Sequence, residues 1–71
     1  MRRSVWGAIQ MLRDDPLAGL ALRDELTGLW RFRVGRLRIV YRFDATTLEL
    51  ILIGRRETIY EDLARRLRRK R

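Results

Sequence analysis

From Leu29 to Phe43 the chain keeps a period of two. Trp30, Phe32 and Val34 alternate with Leu29, Arg31 and Arg33. After Gly35-Arg36, Leu37, Ile39, Tyr41 and Phe43 alternate with Arg38, Val40 and Arg42. Side chains that repeat every second residue share one face of a strand. A glycine at the first position of a two-residue link fits a type II′ hairpin. The hairpin fixes a register: Val34 meets Leu37, Phe32 meets Ile39 and Trp30 meets Tyr41. A slip of one residue would move this whole apolar set to the other face. Asp44-Ala45-Thr46-Thr47 is a second turn, and Leu48 to Ile53 a third strand that Gly54 ends. A four-residue turn pairs Phe43 with Leu48, Tyr41 with Leu50, Ile39 with Leu52 and Arg38 with Ile53. One face of this meander is apolar and needs a helix to cover it.

The flanks supply helices. Val5, Ile9 and Leu12, widened by Ala8 and Met11, make one face of a helix from Ser4 to about Arg13. Pro16 disfavours helical backbone at Asp15 and stops it. Leu17 to Gly28 reads as a loop with one helical turn, since Gly19 and Thr27-Gly28 interrupt it. Thr58-Ile59-Tyr60-Glu61 has capping-box spacing. Ile59, Leu63 and Leu67 then form a stripe, with Glu61 and Asp62 at the start and arginines at the end, as the helix dipole favours. The expected fold is α+β: an N-terminal helix, a three-stranded antiparallel meander and a C-terminal helix. It forms one domain over residues 1–71 with a basic tail from Arg65. Trp6 and Trp30 are in phase with the apolar faces and are expected in the core.

Size and charge narrow the function classes. The chain has 71 residues, 46% of them apolar, enough for one small core and no second domain. It has no Cys and no His, so the usual zinc and haem ligand sets are absent and no cofactor is expected. The lack of Cys fits a reducing cytoplasm. The longest apolar runs, Leu17–Leu22 and Leu50–Gly54, are too short to span a membrane. Lys and Arg number 17 against 9 acidic residues, a net +8 that anticipates a polyanionic partner, either nucleic acid or an acidic protein.

The basic residues gather on one face. Arg31, Arg33, Arg38 and Arg42 line it with Val40, and the regular register adds Glu49, Ile51 and Ile53. Arg42 meets Glu49 and is neutralised. Arg33 stands opposite Arg38, and like charges so placed repel. Arg31, Arg33 and Arg38 have no acid across the strands, and Arg55 and Arg56 are expected to emerge beside them. Such a cluster costs stability unless an anion sits among its members, and the planar guanidinium fork suits phosphate. Tyr60 lies one position off the Ile59–Leu63–Leu67 stripe. Beside Arg56 its hydroxyl would sit in a positive field, suited to moving a proton in phosphodiester cleavage. Arg68, Arg69, Lys70 and Arg71 end the chain, either as a solvated helix end or as a non-specific RNA footing.

These residues resemble a known family. The run Leu26-Thr27-Gly28-Leu29-Trp30-Arg31-Phe32-Arg33-Val34-Gly35, then Leu37-Arg38-Ile39-Val40-Tyr41, then Ile53-Gly54-Arg55-Arg56-Glu57-Thr58-Ile59-Tyr60, resembles the RelE/ParE superfamily of bacterial toxins. The resemblance covers about Asp15 to Tyr60. It implies helices packed on a twisted antiparallel sheet and a cognate acidic antitoxin. The RelE branch implies a metal-independent endoribonuclease that cuts mRNA in the ribosomal A site, by attack of the 2′-hydroxyl on the adjacent phosphate. By position it implies charge stabilisation by Arg38 and Arg56, RNA contacts from Arg31 and Arg33, and a catalytic role for Tyr60. Arg31 and Arg33 stand where some members carry lysines, and arginine does not serve as a general base. The ParE branch implies instead a non-enzymatic inhibitor of DNA gyrase. A third reading is an inactive, shortened toxin that acts only as a basic binding module. Compared with the family pattern, the chain opens in what looks like the second helix. An open sheet edge, with self-association or capture by the antitoxin, is therefore expected.

Overall fold

The computed structural model describes residues 4–69. Helix α1 spans Val5–Asp14, and the Ser4 hydroxyl caps it by accepting from the Gly7 amide at 2.9 Å. A 3₁₀ turn, Pro16–Ala18, leads to the two-residue strand β1, Leu20–Ala21. A second 3₁₀ turn, Asp24–Leu26, precedes β2, Trp30–Val34. Strands β3, Leu37–Phe43, and β4, Leu48–Arg55, follow, and helix α2 covers Ile59–Arg69. The sheet is antiparallel, with order β1-β2-β3-β4. The region expected to be a loop therefore contributes a fourth strand. At two residues, β1 is too short to show a period in the sequence.

The β2–β3 hairpin has the anticipated register, with Trp30 opposite Tyr41, Phe32 opposite Ile39 and Val34 opposite Leu37. Gly35 adopts φ +61° in the turn, a conformation that glycine tolerates at no steric cost. At the other hairpin, the Asp44 carboxylate accepts from the amides of Thr46 and Thr47, at 2.9 and 2.8 Å, and sets that turn.

The β3–β4 pair departs from expectation. Phe43, Arg42 and Tyr41 face Leu48, Glu49 and Leu50 as anticipated. The register then shifts by one, so that Val40 faces Leu52, Ile39 faces Ile53 and Arg38 faces Gly54. Ile51 is the extra residue of a β-bulge, which places two side chains of one strand against one of its partner. The expected pairings Ile39–Leu52 and Arg38–Ile53 are thereby corrected. Beyond the bulge Leu52 shares the Val40 face, and Ile53 moves to the Ile39 face.

The shift gives the sheet two apolar faces. On one, Ala8 and Leu12 of α1 pack with Val34, Ile39 and Tyr41, bordered by Trp30, Phe32, Phe43 and Leu48. The Trp30 and Phe43 rings lie 5.2 Å apart and tilted, an arrangement aromatic pairs favour. On the other, Ile59 and Leu63 of α2 pack with Val40, and Ile51, Leu52, Leu26 and Leu29 surround them. Each such side chain, fully buried, contributes about 1.5–3 kcal/mol. Trp6 is not in the core: it is 66% exposed on α1, while Val5 and Ile9 border the core in its place.

Candidate nucleic-acid interface

The arginines converge on the α2 face of the sheet. Arg31 faces Val40, and Arg33 faces Arg38, so like charges stand side by side. Arg42 forms an ion pair with Glu49 at 2.7 Å, which removes it from the cluster. Arg38 occupies the middle strand and is only 9% exposed. Its position explains why. The residue opposite, Gly54, has no side chain, and Ile59 of α2 fills that space, its Cγ1 3.5 Å from where a Cβ would stand. The first turn of α2 thus closes over the strand beside Arg38.

No hydrogen-bond partner among the described residues meets the buried Nε and Nη1 of Arg38. Buried polar atoms are ordinarily paired, and an orphan costs about 1–3 kcal/mol. Burial depresses the Arg38 pKa, and the charges of Arg31 and Arg33 depress it further. Tyr60 opposes this, while Arg56 adds to it. The guanidinium still keeps its proton at ordinary pH. Arg31, Arg33, Arg56 and Tyr60 are therefore all within electrostatic reach of one buried cation.

Arg56 arrives there by its backbone, whose amide donates to the Arg36 carbonyl at 3.0 Å and lays the end of β4 against the hairpin turn. Tyr60, on the first turn of α2, is 41% exposed and so accessible to a ligand. Arg55 was expected with Arg56 but does not join it. It pairs with Leu37, and the bulge carries it to the α1 face. Arg68 is exposed on the last turn of α2. The side chain of Arg69, with Lys70 and Arg71, lies outside the described residues.

A groove of about 430 Å³ opens over the cluster. Arg31, Arg33 and Arg38 form one wall together with Phe32, and Ala18, Gly19 and Leu20 form the other. Its volume falls within the range of about 300–1,000 Å³ usual for small-ligand pockets. The Ala18–Leu20 wall went unrecognised in the sequence. A glycine between two apolar residues soon after Pro16 was the one sign that backbone there approaches something closely. No group of His, Cys, Asp or Glu among the described residues could hold a metal ion.

A family model for the ParE toxin of type II toxin–antitoxin systems, parDE, matches residues 2–60. The chain belongs to this ParE toxin family. The match takes in the groove arginines, Arg56 and Tyr60. Membership of a type II toxin–antitoxin family implies a cognate antitoxin as partner. No curated protein and no solved structure matches the chain. Among its described residues, no helix is long and apolar enough to cross a membrane.

Proposed function

We propose that this ParE-family toxin acts on the RNA backbone, as a ribosome-dependent mRNA endoribonuclease that inhibits translation in the cytoplasm. The observation that carries the reading is the buried Arg38 guanidinium, with two unpartnered nitrogens, in a groove shared with Arg31 and Arg33. A buried cation without a counterion is complementary to an anion that arrives with the substrate. Such preorganised donors stabilise charge that develops on a reacting phosphate. In the proposed reaction the RNA 2′-oxygen bonds to the adjacent phosphorus and the bond to the 5′-oxygen breaks. The products are a cyclic phosphate and a 5′-hydroxyl. Arg38 and Arg56 hold the phosphate charge, and Arg31 and Arg33 position the strand. Tyr60 relays the proton: its oxygen takes the proton of the attacking hydroxyl as its own phenolic proton passes to the departing 5′-oxygen, a part that an arginine cannot play. Arg68, Arg69, Lys70 and Arg71 give a non-specific footing on RNA, and an acidic antitoxin neutralises the arginine face.

A second reading, non-enzymatic inhibition of DNA gyrase, is favoured by the match to the ParE family model. One experiment separates the two. The protein is incubated with translating ribosomes, and the mRNA ends are mapped, beside a supercoiling assay with gyrase. Cuts confined to the A-site codon support the first reading. An intact message with inhibited supercoiling supports the second and removes the first.

A further inference from the structure

The Ala18–Leu20 wall of the groove is weakly held by ordinary means. β1 makes only two pairs, Leu20 with Arg31 and Ala21 with Trp30. Leu17 and Leu20 are 66% and 60% exposed, so core burial does not anchor this segment. Its long-range tie comes from the core below. Tyr41 is fully buried, yet its hydroxyl donates to the Pro16 carbonyl at 2.6 Å. Gly19 then lies so close that a Cβ there would overlap both the Tyr41 hydroxyl and the Arg31 carbonyl oxygen.

We infer that Tyr41 is a positioning residue for the groove: its bond to Pro16 and its contact with Gly19 set the distance between the Ala18–Leu20 wall and the arginines. The inference rests on the groove being the RNA site. The two walls then have different tasks. Arg31, Arg33 and Arg38 hold phosphate. The opposite wall presents the aliphatic side chains of Ala18 and Leu20 and the bare backbone of Gly19, with no hydrogen-bonding side chain. It packs against the sugar and base without reading base identity. A nucleotide feels both walls, whereas a lone phosphate feels only the arginines.

The test compares two probes on Tyr41→Phe, which removes only the hydroxyl. The probes are a short 2′-O-methyl oligoribonucleotide, which lacks the attacking hydroxyl, and inorganic phosphate. The variant should bind the oligoribonucleotide about tenfold more weakly, the equivalent of one ordinary hydrogen bond, with phosphate affinity unchanged within about twofold. Amide hydrogen exchange at Gly19 and Leu20 should accelerate, while Ile39 and Leu63 keep wild-type protection. Equal losses for both probes, or unchanged exchange at Gly19 and Leu20, would overturn the inference. If wild type binds phosphate but no oligoribonucleotide, the RNA reading fails, and hydrogen exchange alone decides whether Tyr41 sets the wall. Gly19→Ala removes no core side chain, and the clash of its Cβ with the Tyr41 hydroxyl and the Arg31 carbonyl displaces the same wall. It decides in the same way if Tyr41→Phe does not fold.

Discussion

Arg38 faces Gly54 across the central pair of strands, where a carboxylate would have neutralised it. The fold therefore buries a cation beside a residue with no side chain and leaves two of its nitrogens unpaired. The arrangement is costly to the free protein and useful to one that binds an anion.

Replacing that cation should make the protein more stable and less toxic. Arg38→Met keeps the aliphatic stem and removes the orphaned donors. We expect unfolding free energy to rise by about 1–3 kcal/mol. Cleavage by the variant should fall about a hundredfold or more, the usual effect of losing one charge-stabilising donor. Thermal melts and a growth assay check the two halves. Phosphate should raise the melting temperature of wild type more than sodium chloride at equal ionic strength, and this difference should vanish in Arg38→Met.

Tyr60→Phe isolates proton transfer. Tyr60 is partly exposed and lies outside both apolar clusters, so the melt should be unchanged. The cleavage rate should drop about a hundred- to ten-thousandfold, as for loss of a general acid–base group. Equal mRNA cleavage by variant and wild type would leave the arginines as a purely electrostatic site.

The two tryptophans should behave in opposite ways. Trp30 borders the α1 core and packs against Phe43. Trp30→Ala should cost about 3–5 kcal/mol, comparable to everything a core of this size supplies, and the chain should unfold. Trp6→Ala alters an exposed residue and should stay within about 0.5 kcal/mol. Urea titration followed by circular dichroism distinguishes them.

Stability should fall at both ends of the pH scale for separate reasons. Burial raises the Tyr41 pKa above its ordinary value, with a smaller contribution from nearby Asp15; the hydrogen bond made with Gly19 opposes the rise. A raised phenol pKa favours the fold while the group is neutral. That contribution is complete below about pH 10 and is lost as pH climbs through the folded-state value. The amides of Thr46 and Thr47 hold the Asp44 carboxyl below its usual range. Its contribution is present above about pH 4 and disappears as pH falls through the depressed value. Melting temperature against pH should show both limbs. Tyr41→Phe should flatten the alkaline one and Asp44→Asn the acid one.

Much of this is legible in the residues themselves. Period-two alternation around Gly35-Arg36 specifies the first hairpin, because a slipped register would expose Trp30, Phe32 and Tyr41. It also sets Arg33 beside Arg38. The helices follow from Pro16, from the Ile9–Leu12 stripe and from Ile59–Leu63. Three things are hidden. β4 is apolar almost throughout, so Leu50, Ile51, Leu52 and Ile53 fit either register and the bulge leaves no mark. That ambiguity misplaced Arg55. Trp6 is in phase with the helix stripe, but α1 meets the sheet along Val5, Ala8 and Leu12. The Ala18–Leu20 wall depends on a contact with Tyr41 from far along the chain, which no local pattern reports.

The bulge at Ile51 gives β4 one residue more than its partner strand needs, so the pairing has a residue to spare. Most apolar exchanges at Leu50 or Ile53 conserve volume and leave the topology alone. Deleting Ile51 would restore a regular ladder with Leu52 still opposite Val40, Ile53 opposite Ile39 and Gly54 opposite Arg38. The seat of α2 would lose the Ile51 side chain alone, and Ile59, which shuts in Arg38, would keep its place over Gly54. Drift among related chains should therefore be free in the identity of these residues and should admit a single-codon gap between Leu50 and Gly54, while an added codon there would have to widen the bulge or turn Gly54 away from Arg38.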